Sequence, residues 1–196
     1  NYSTKYTDMR KIIKKIFKMM GYEISKIKKD KFPIDIPKET IRIYKEVEPY
    51  TATSLERVNA LLQSVVYVTE NNIDGEIVEC GVWKGGSCMA IALKLMELDQ
   101  KTREIWLYDT FEGMTEPTSH DVEIETGKKG KELLEGIDKN TDKYNMWAYA
   151  PKDIVIDNMK KTRYPIDNIK YITGKVEKTL KERKPKKIAL LRLDTD

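Results

Sequence analysis

Short apolar runs alternate with segments of helical period along most of this chain, and this alternation limits the fold more than any other feature. Each run is rich in β-branched or aromatic side chains, which favours a buried strand. Four such runs are present: Glu76–Cys80, Ile105–Asp109, Ile169–Thr173 and Ile188–Leu193. Strands that alternate with helices predict an α/β fold, with a Rossmann-like parallel sheet covered by helices on both faces.

The segments beside these runs repeat apolar residues every three or four positions, as amphipathic helices do. A long helix is predicted over residues 54–71, where Thr53 and Glu56 have the spacing of a capping box. Further helices are predicted over residues 88–98, from Pro151 and from Val176.

Two features interrupt this pattern. Residues 112–149 are polar and lack a period, which predicts a long loop or lid with a short helix near residues 131–135. Only residues 194–196 follow the last predicted strand, so we expect a sheet truncated after its fourth strand.

The predicted compact domain comprises residues 50–196, and residues 1–49 form an N-terminal arm. Within the arm, residues 8–20 predict an amphipathic helix that Gly21 terminates. The rest of the arm lacks a period and contains three prolines. It therefore predicts an irregular segment with one helical turn near residues 38–45.

The arm is basic. Residues 1–48 carry 13 lysine and arginine residues against 7 acidic ones, whereas the rest of the chain carries 23 against 25. A solvated helix face rich in lysine and contact with an anionic surface both explain this excess. We expect the solvated face, and no nucleic-acid partner.

Composition excludes several classes of protein. No stretch reaches the roughly 20 consecutive apolar residues of a membrane span, and the N-terminus lacks the apolar block of a secretory signal. These features predict a soluble, cytoplasmic protein. One histidine, His120, excludes a zinc site with two or more histidines, and two cysteines, Cys80 and Cys88, cannot form a disulfide framework. A metal ion would therefore be held mainly by oxygen atoms.

Ligands of an open parallel sheet bind beyond the carboxyl ends of its strands, where the first predicted turn is rich in glycine. Aligning this turn on the dinucleotide pattern GxGxxG, from Gly81 to Gly86, puts Trp83 where the backbone must approach a pyrophosphate. The turn therefore favours a nucleoside ligand such as S-adenosylmethionine, with Asp109 accepting hydrogen bonds from the ribose hydroxyls. Tight helix–strand packing alone would also explain the glycines, but Glu79, Gly81 and Asp109 at consecutive strand ends favour the nucleoside site.

Asp194 and Asp196 flank one residue after the last predicted strand, so strand alternation points both carboxylates to one side. Two close carboxylates repel each other unless a cation lies near them, and Mg²⁺ prefers such oxygen ligands. A magnesium site and a solvated strand end are both compatible with this pattern.

Four sequence blocks carry a resemblance to a known family. They read YTATSLER at 50–57, EIVECGVWKGGS at 76–87, LYDTFEGM at 107–114 and LLRLDTD at 190–196. Together and in this order they resemble the macrocin O-methyltransferase (TylF-type) family of S-adenosylmethionine-dependent, Mg²⁺-dependent sugar O-methyltransferases. The resemblance covers residues 50–196 and not the basic arm.

The resemblance implies a class I methyltransferase sheet that binds S-adenosylmethionine. The implied cofactor-binding residues are Tyr50 and Thr53, which close over the cofactor, Glu79, Gly81, Val82, Trp83 and Ser87 in the methionine-binding turn, and Asp109, Thr110, Phe111 and Gly113 beside the ribose and adenosine. Asp194 matches the aspartate that ligates Mg²⁺ beside the substrate hydroxyl and is the implied catalytic residue, with Asp196 as an auxiliary ligand. The implied acceptor is a sugar or glycoside, in a natural product or a surface polysaccharide precursor.

Two other functions stay open at this point: an NAD(P)-linked oxidoreductase, and a non-catalytic scaffold whose basic arm binds an anionic surface. Several side chains also have open roles. His120 could be a base but is expected to be solvated, and Trp147 and Tyr149 could line an acceptor pocket, whereas Trp106 is expected in the core. Arg192, inside an apolar strand, is expected to pair with a carboxylate. The apolar faces of the first helix and arm suit contacts between subunits, so we expect a homo-oligomer.

Overall fold

The computed structural model describes residues 17–22, 32–140 and 146–195. Its contacts divide the chain into two compact units, Asn1–Asp35 and Ile36–Asp196. In the first unit, residues 17–19 are helical and a turn follows, so the end of the predicted first helix is confirmed. The start of that helix, at residues 8–16, and the predicted irregular segment at residues 23–31 lie outside the described residues.

The second unit is built on a parallel sheet of four strands. They are β1 (Glu76–Cys80), β2 (Ile105–Asp109), β3 (Ile169–Thr173) and β4 (Ile188–Leu193). The strand order is β3-β2-β1-β4, and all three pairings are parallel. The four predicted strands are therefore confirmed with their predicted bounds.

Within the second unit, six α-helices connect or precede these strands in the described residues. They are α1 (Lys38–Val47), α2 (Leu55–Glu70), α3 (Gly86–Glu97), α4 (Gly130–Leu134), α5 (Lys152–Lys161) and α6 (Val176–Glu182), with short 3₁₀ helices at Glu48–Tyr50 and Ile166–Asn168. Helices α1, α2 and α3 contact one another, and α5 contacts α3. Among the described residues, no helix is long and apolar enough to cross a membrane.

The two faces of the sheet are buried by different helices, because side chains alternate along each strand. On one face, Ile77 and Leu107 join the large core formed with α1, α2, α3 and α5. On the other face, Val78, Trp106 and Tyr108 form a smaller cluster against α6. The predicted two-sided cover is confirmed, and Trp106 lies in a core as expected.

The unit boundary differs from the predicted one. The sequence predicts a single helical turn at residues 38–45, within the arm, whereas the structure has the full helix α1 there, inside the larger unit. Thr40, Ile43 and Val47 lie on one side of this helix and are buried, the two apolar residues completely. Burial of this stripe stabilises a helix that the surrounding prolines obscure in the sequence.

The predicted capping box at the start of α2 is wrong in its details. Ser54, not Thr53, occupies the N-cap position, and its side chain makes no capping hydrogen bond. Instead, the backbone N–H of Glu56 and the Ser54 side chain bond the Glu56 carboxylate and lower its pKa. The Thr53 hydroxyl accepts a hydrogen bond from Arg192 on β4 instead of capping the helix.

The long polar segment after β2 has little regular structure, as predicted. It contains the short helix α4 and an antiparallel bridge between Val122 and Lys129. Residues 141–145 of this segment lie outside the described residues.

Candidate functional site

A cleft of about 970 Å³ lies at the carboxyl ends of the strands, where the sequence places its polar residues. The predicted site residues that line it are Tyr50, Thr53, Glu79, Gly81, Val82, Trp83, Ser87, Asp109, Thr110, Gly113 and Asp194. Phe111 does not line the cleft and packs in the large core with 6% of its surface exposed. Asp196 lies outside the described residues.

The glycine turn fits closely against the end of β4. Gly81 has φ 82°, and a Cβ at this position would lie 2.7 Å from the Asp194 carbonyl carbon. The Gly81 N–H donates to the Tyr108 carbonyl over 2.9 Å, and the Asp194 N–H donates to the Cys80 carbonyl over 2.8 Å. The turn is thus held between β2 and the chain after β4.

Asp109 organises this turn rather than standing free at the end of β2. One of its carboxylate oxygens accepts from the N–H groups of Val82 over 2.6 Å and Trp83 over 3.2 Å. The other oxygen, Oδ1, accepts from the Phe111 N–H over 2.7 Å. A carboxylate offers about four lone-pair sites, so one site on Oδ1 stays available for a ligand hydroxyl. The assignment of Asp109 as a ribose ligand stays a prediction.

Trp83 supports the interpretation of the cleft as a ligand site. Its backbone is left-handed, with φ 46°, and its side chain packs partly against the core. Its indole Nε1 is buried and has no hydrogen-bond partner among the described residues. Buried donors without partners are costly, so a polar ligand in the cleft would stabilise this arrangement. These features fit a nucleoside cofactor such as S-adenosylmethionine.

Glu79 is a buried carboxylate at the end of β1, with 1% of its surface exposed. The Cys88 thiol donates to Oε2 over 2.6 Å, and Arg192 forms an ion pair with Oε1. Burial raises the pKa of Glu79 to about 7, although Arg192 and the Cys88 thiol act in the opposite direction. The nearby Asp194 carboxylate raises this pKa further.

This pKa predicts a pH-dependent stability. Because Glu79 binds its proton more tightly in the folded state, its stabilising contribution is complete below about pH 4.5 and is lost as the pH rises to about 7. The loss should reach about 3 kcal/mol of the free energy of unfolding. Urea unfolding of wild type and E79Q between pH 4.5 and 8 checks this expectation. Parallel pH profiles for the two proteins would contradict it.

Arg192 pairs with a carboxylate, as predicted, and the structure identifies two partners, Glu79 and Asp194. Besides Glu79, its Nη2 contacts Asp194 Oδ2 at 2.9 Å and donates to the Thr53 hydroxyl over 3.2 Å. In the part of the chain that the structure describes, no group of three or more acidic, histidine or cysteine side chains could hold a metal ion. Asp194 Oδ2 is paired with Arg192, and Asp196, the other predicted ligand, lies outside the described residues, so the magnesium site stays a prediction.

Tyr50 is held in the cleft wall by α5. Lys161 Nζ donates to the Tyr50 hydroxyl over 3.1 Å and lies 4.5 Å from the centre of its ring. Lys161 also donates to Asn158, whose amide donates to the Lys84 carbonyl in the glycine turn over 3.0 Å. Asn158 is only 4% exposed. Sequence reasoning missed both residues, although a polar Asn158 beside the apolar Met159 on a helix is a usable signal.

The loop after β2 forms another cleft wall, and Trp147 supports it from behind. The Met114 N–H donates to the Trp147 carbonyl over 2.8 Å, and the Trp147 indole donates to the Ile137 carbonyl over 2.8 Å. Trp147 is 6% exposed and does not line the cleft. Tyr149 lines a separate cavity of about 330 Å³, and His120 is exposed and outside both linings.

The turn after β3 also lines the cleft, through residues 174–177, as expected for residues at the carboxyl end of a strand. Further lining residues were not predicted and belong to the long segment: Thr115, Glu116, Thr118, Asp121, Leu133, Leu134 and Met146. This segment has no period from which to infer which side chains point inward.

Comparison with known proteins gives one family. The family described as macrocin-O-methyltransferase (TylF) matches residues 3–196. A mycinamicin III 3''-O-methyltransferase from Micromonospora griseorubida is 24% identical over 149 residues, which are 75% of this chain and 54% of that protein. The chain spans about half the length of the curated relatives it matches.

Two further similarities agree with this match. The 8-demethyl-8-(2,3-dimethoxy-alpha-L-rhamnosyl)-tetracenomycin-C 4'-O-methyltransferase of Streptomyces olivaceus is 28% identical over 149 residues, which are 75% of this chain and 52% of that protein. Among solved structures, the O-methyltransferase NovP superposes with a TM-score of 0.58 at 27% identity. That match covers 75% of this chain and 56% of the NovP chain.

Proposed function

Since the chain belongs to the macrocin-O-methyltransferase (TylF) family, we propose that its protein transfers a methyl group from S-adenosylmethionine to a hydroxyl of a sugar or glycoside. The observation that carries this proposal is the meeting of all four resembling blocks at one cleft. Thr53, Gly81, Asp109 and Asp194 each come from a different block, and all line it. Residues far apart in sequence are thereby gathered where parallel sheets bind ligands.

The cofactor would supply an activated methyl group on a sulfonium centre. The protein's task is then mainly to align the acceptor oxygen and remove its proton. In this proposal the glycine turn faces the amino-acid part of the cofactor, and Asp109 Oδ1 accepts a ribose hydroxyl. Asp194, whose side chain is 59% exposed at the cleft wall, accepts the proton of the acceptor hydroxyl. Magnesium binding at Asp194 stays a prediction, and the proton transfer to this carboxylate does not depend on it.

The acceptor class rests on the family and on the chemistry of the cleft. One relative is named for a rhamnosyl-bearing tetracenomycin, which supports a glycoside acceptor for this protein as well. The part of the cleft that the long segment lines combines hydroxyl groups, such as Thr115 and Thr118, with apolar side chains, such as Leu133 and Met146. Such a wall suits a sugar joined to an apolar aglycone. Homo-oligomerisation and a cytoplasmic location stay predictions.

Calorimetric titration of S-adenosylhomocysteine tests the cofactor site. We expect saturable binding in roughly the micromolar range, for this chain and for its full-length protein. NADH is the control ligand, and it should not bind because Trp83 occupies the position where a pyrophosphate would approach. Binding of NADH alone, or of neither ligand, would contradict the proposal. Methyl transfer to a panel of rhamnosides by the full-length protein then tests the acceptor class.

A further inference from the structure

Arg192 contacts three side chains that line the cleft, although it does not line the cleft itself. Its partners are Glu79 at the end of β1, Thr53 before α2 and Asp194 after β4. Sequence reasoning gave each of these three a role in cofactor or acceptor binding. One guanidinium therefore joins residues from three of the four blocks.

A buried ion pair with Glu79 fixes the position of the Arg192 guanidinium. Arg192 and Glu79 are register partners on the parallel strands β4 and β1. The Glu79 side chain is 2% exposed and the Arg192 side chain is 19% exposed, so water screens this pair little. The Cys88 thiol donates to the other oxygen of Glu79 and adds a second contact that holds this carboxylate in place. Nη1 is thus anchored, and the planar group fixes where Nη2 lies.

The other terminal nitrogen of the guanidinium, Nη2, contacts two groups. It lies 2.9 Å from Asp194 Oδ2 and 3.2 Å from the Thr53 hydroxyl. Without this contact the Asp194 side chain, 59% exposed, would be free to change rotamer in solvent. Thr53 belongs to a segment whose backbone lies directly against α3, since a Cβ on Gly86 would be 2.6 Å from the Tyr50 carbonyl carbon.

We propose that Arg192 is a positioning residue that couples the cofactor-covering segment to the carboxylate beside the acceptor. Through Nη2 the same guanidinium holds the Thr53 hydroxyl and the Asp194 carboxylate, so its loss disturbs the cofactor half and the acceptor half of the cleft together. Lysine cannot replace Arg192, because an ammonium is a point charge without a fixed fork. This inference rests on the proposed function.

The test is a double-mutant cycle in the full-length protein, with R192K, T53V and the double variant. Hydrogen bonds to charged groups contribute enough for about a 10-fold loss, so each single variant should weaken S-adenosylhomocysteine binding about 10-fold. The double variant should bind S-adenosylhomocysteine no more weakly than R192K alone, because both changes remove the same contact between Arg192 and Thr53. At saturating cofactor, R192K should also lower kcat about 10-fold, whereas T53V should change kcat little.

The control is R183K, which changes an arginine packed over Trp106 on the other face of the sheet. It should leave both affinity and kcat unchanged. T53V is nearly isosteric and keeps the test valid if R192K unfolds. If wild type fails to bind S-adenosylhomocysteine, the proposed function is wrong. If wild type binds and the two single effects multiply in the double variant, the proposed function stands and the coupling role of Arg192 is wrong.

Discussion

D109A is expected to lower the affinity for S-adenosylhomocysteine at least about 100-fold and to destabilise the fold. The Asp109 carboxylate accepts from three backbone N–H groups, two in the glycine turn and one in the loop after β2. Removing it leaves these partly buried donors without a partner, at about 1–3 kcal/mol each, less what water recovers. We therefore expect a loss of about 3 kcal/mol in the free energy of unfolding, measured with urea.

Two further variants help to distinguish the role of Asp109 in the glycine turn from its role in cofactor binding. D109N keeps one oxygen acceptor but presents an amide NH₂ to backbone donors, so it should fall between wild type and D109A in affinity. D157A is the matched control, since Asp157 is exposed and pairs with the solvated Lys160, so its loss should change stability and affinity little. Wild-type affinity in D109A would show that Asp109 neither shapes the turn nor binds the cofactor.

The strands were predictable because their signal is local. Each run is short and rich in apolar, β-branched or aromatic residues, and a glycine or a charged residue lies next to at least one of its ends. The carboxyl ends of the strands then follow from the parallel arrangement alone, which explains why Glu79, Asp109 and Asp194 were correctly brought to one cleft. Nothing beyond chain direction was needed.

The roles of individual side chains were harder to predict because their partners are distant in sequence. Thr53 and Glu56 have a capping-box spacing, yet the Thr53 hydroxyl bonds Arg192, which is 139 positions away. No local sequence pattern indicates that Thr53 bonds Arg192 rather than capping the helix. Phe111 belongs to a block that otherwise lines the cleft, but its left-handed backbone, φ 57°, turns it into the core. Such a conformation is rare outside glycine and has no sequence signature here.

Helix α1 could have been predicted from its burial pattern. Thr40, Ile43 and Val47 are spaced three and four residues apart, which is the period of a helix face. Pro37 then marks the position just before the helix, where proline is tolerated, rather than an irregular arm. The three prolines of this region favoured an irregular segment, although the short apolar pattern has a helical period.

G81A is expected to have the other large effect, because it strains the backbone and displaces the end of β4 at once. Alanine at φ 82° costs about 1–2 kcal/mol, and its Cβ would meet the Asp194 backbone at less than contact distance. Since Asp194 is bonded to Cys80 and paired with Arg192, it cannot move aside without loss of both contacts. We expect a loss of about 4 kcal/mol in stability and no detectable binding of S-adenosylhomocysteine.

G136A separates the steric part of this effect from the conformational part. Gly136 also has a positive φ, 75°, but nothing lies within 4 Å of a Cβ at that position. G136A should therefore lose only the conformational cost, about 1–2 kcal/mol, and should bind S-adenosylhomocysteine as wild type does. Urea unfolding and calorimetry on both variants measure the difference. Equal losses would mean that the approach of β4 to the turn is unimportant, whereas a larger loss in G81A with binding abolished would make this contact the structural basis of the cleft.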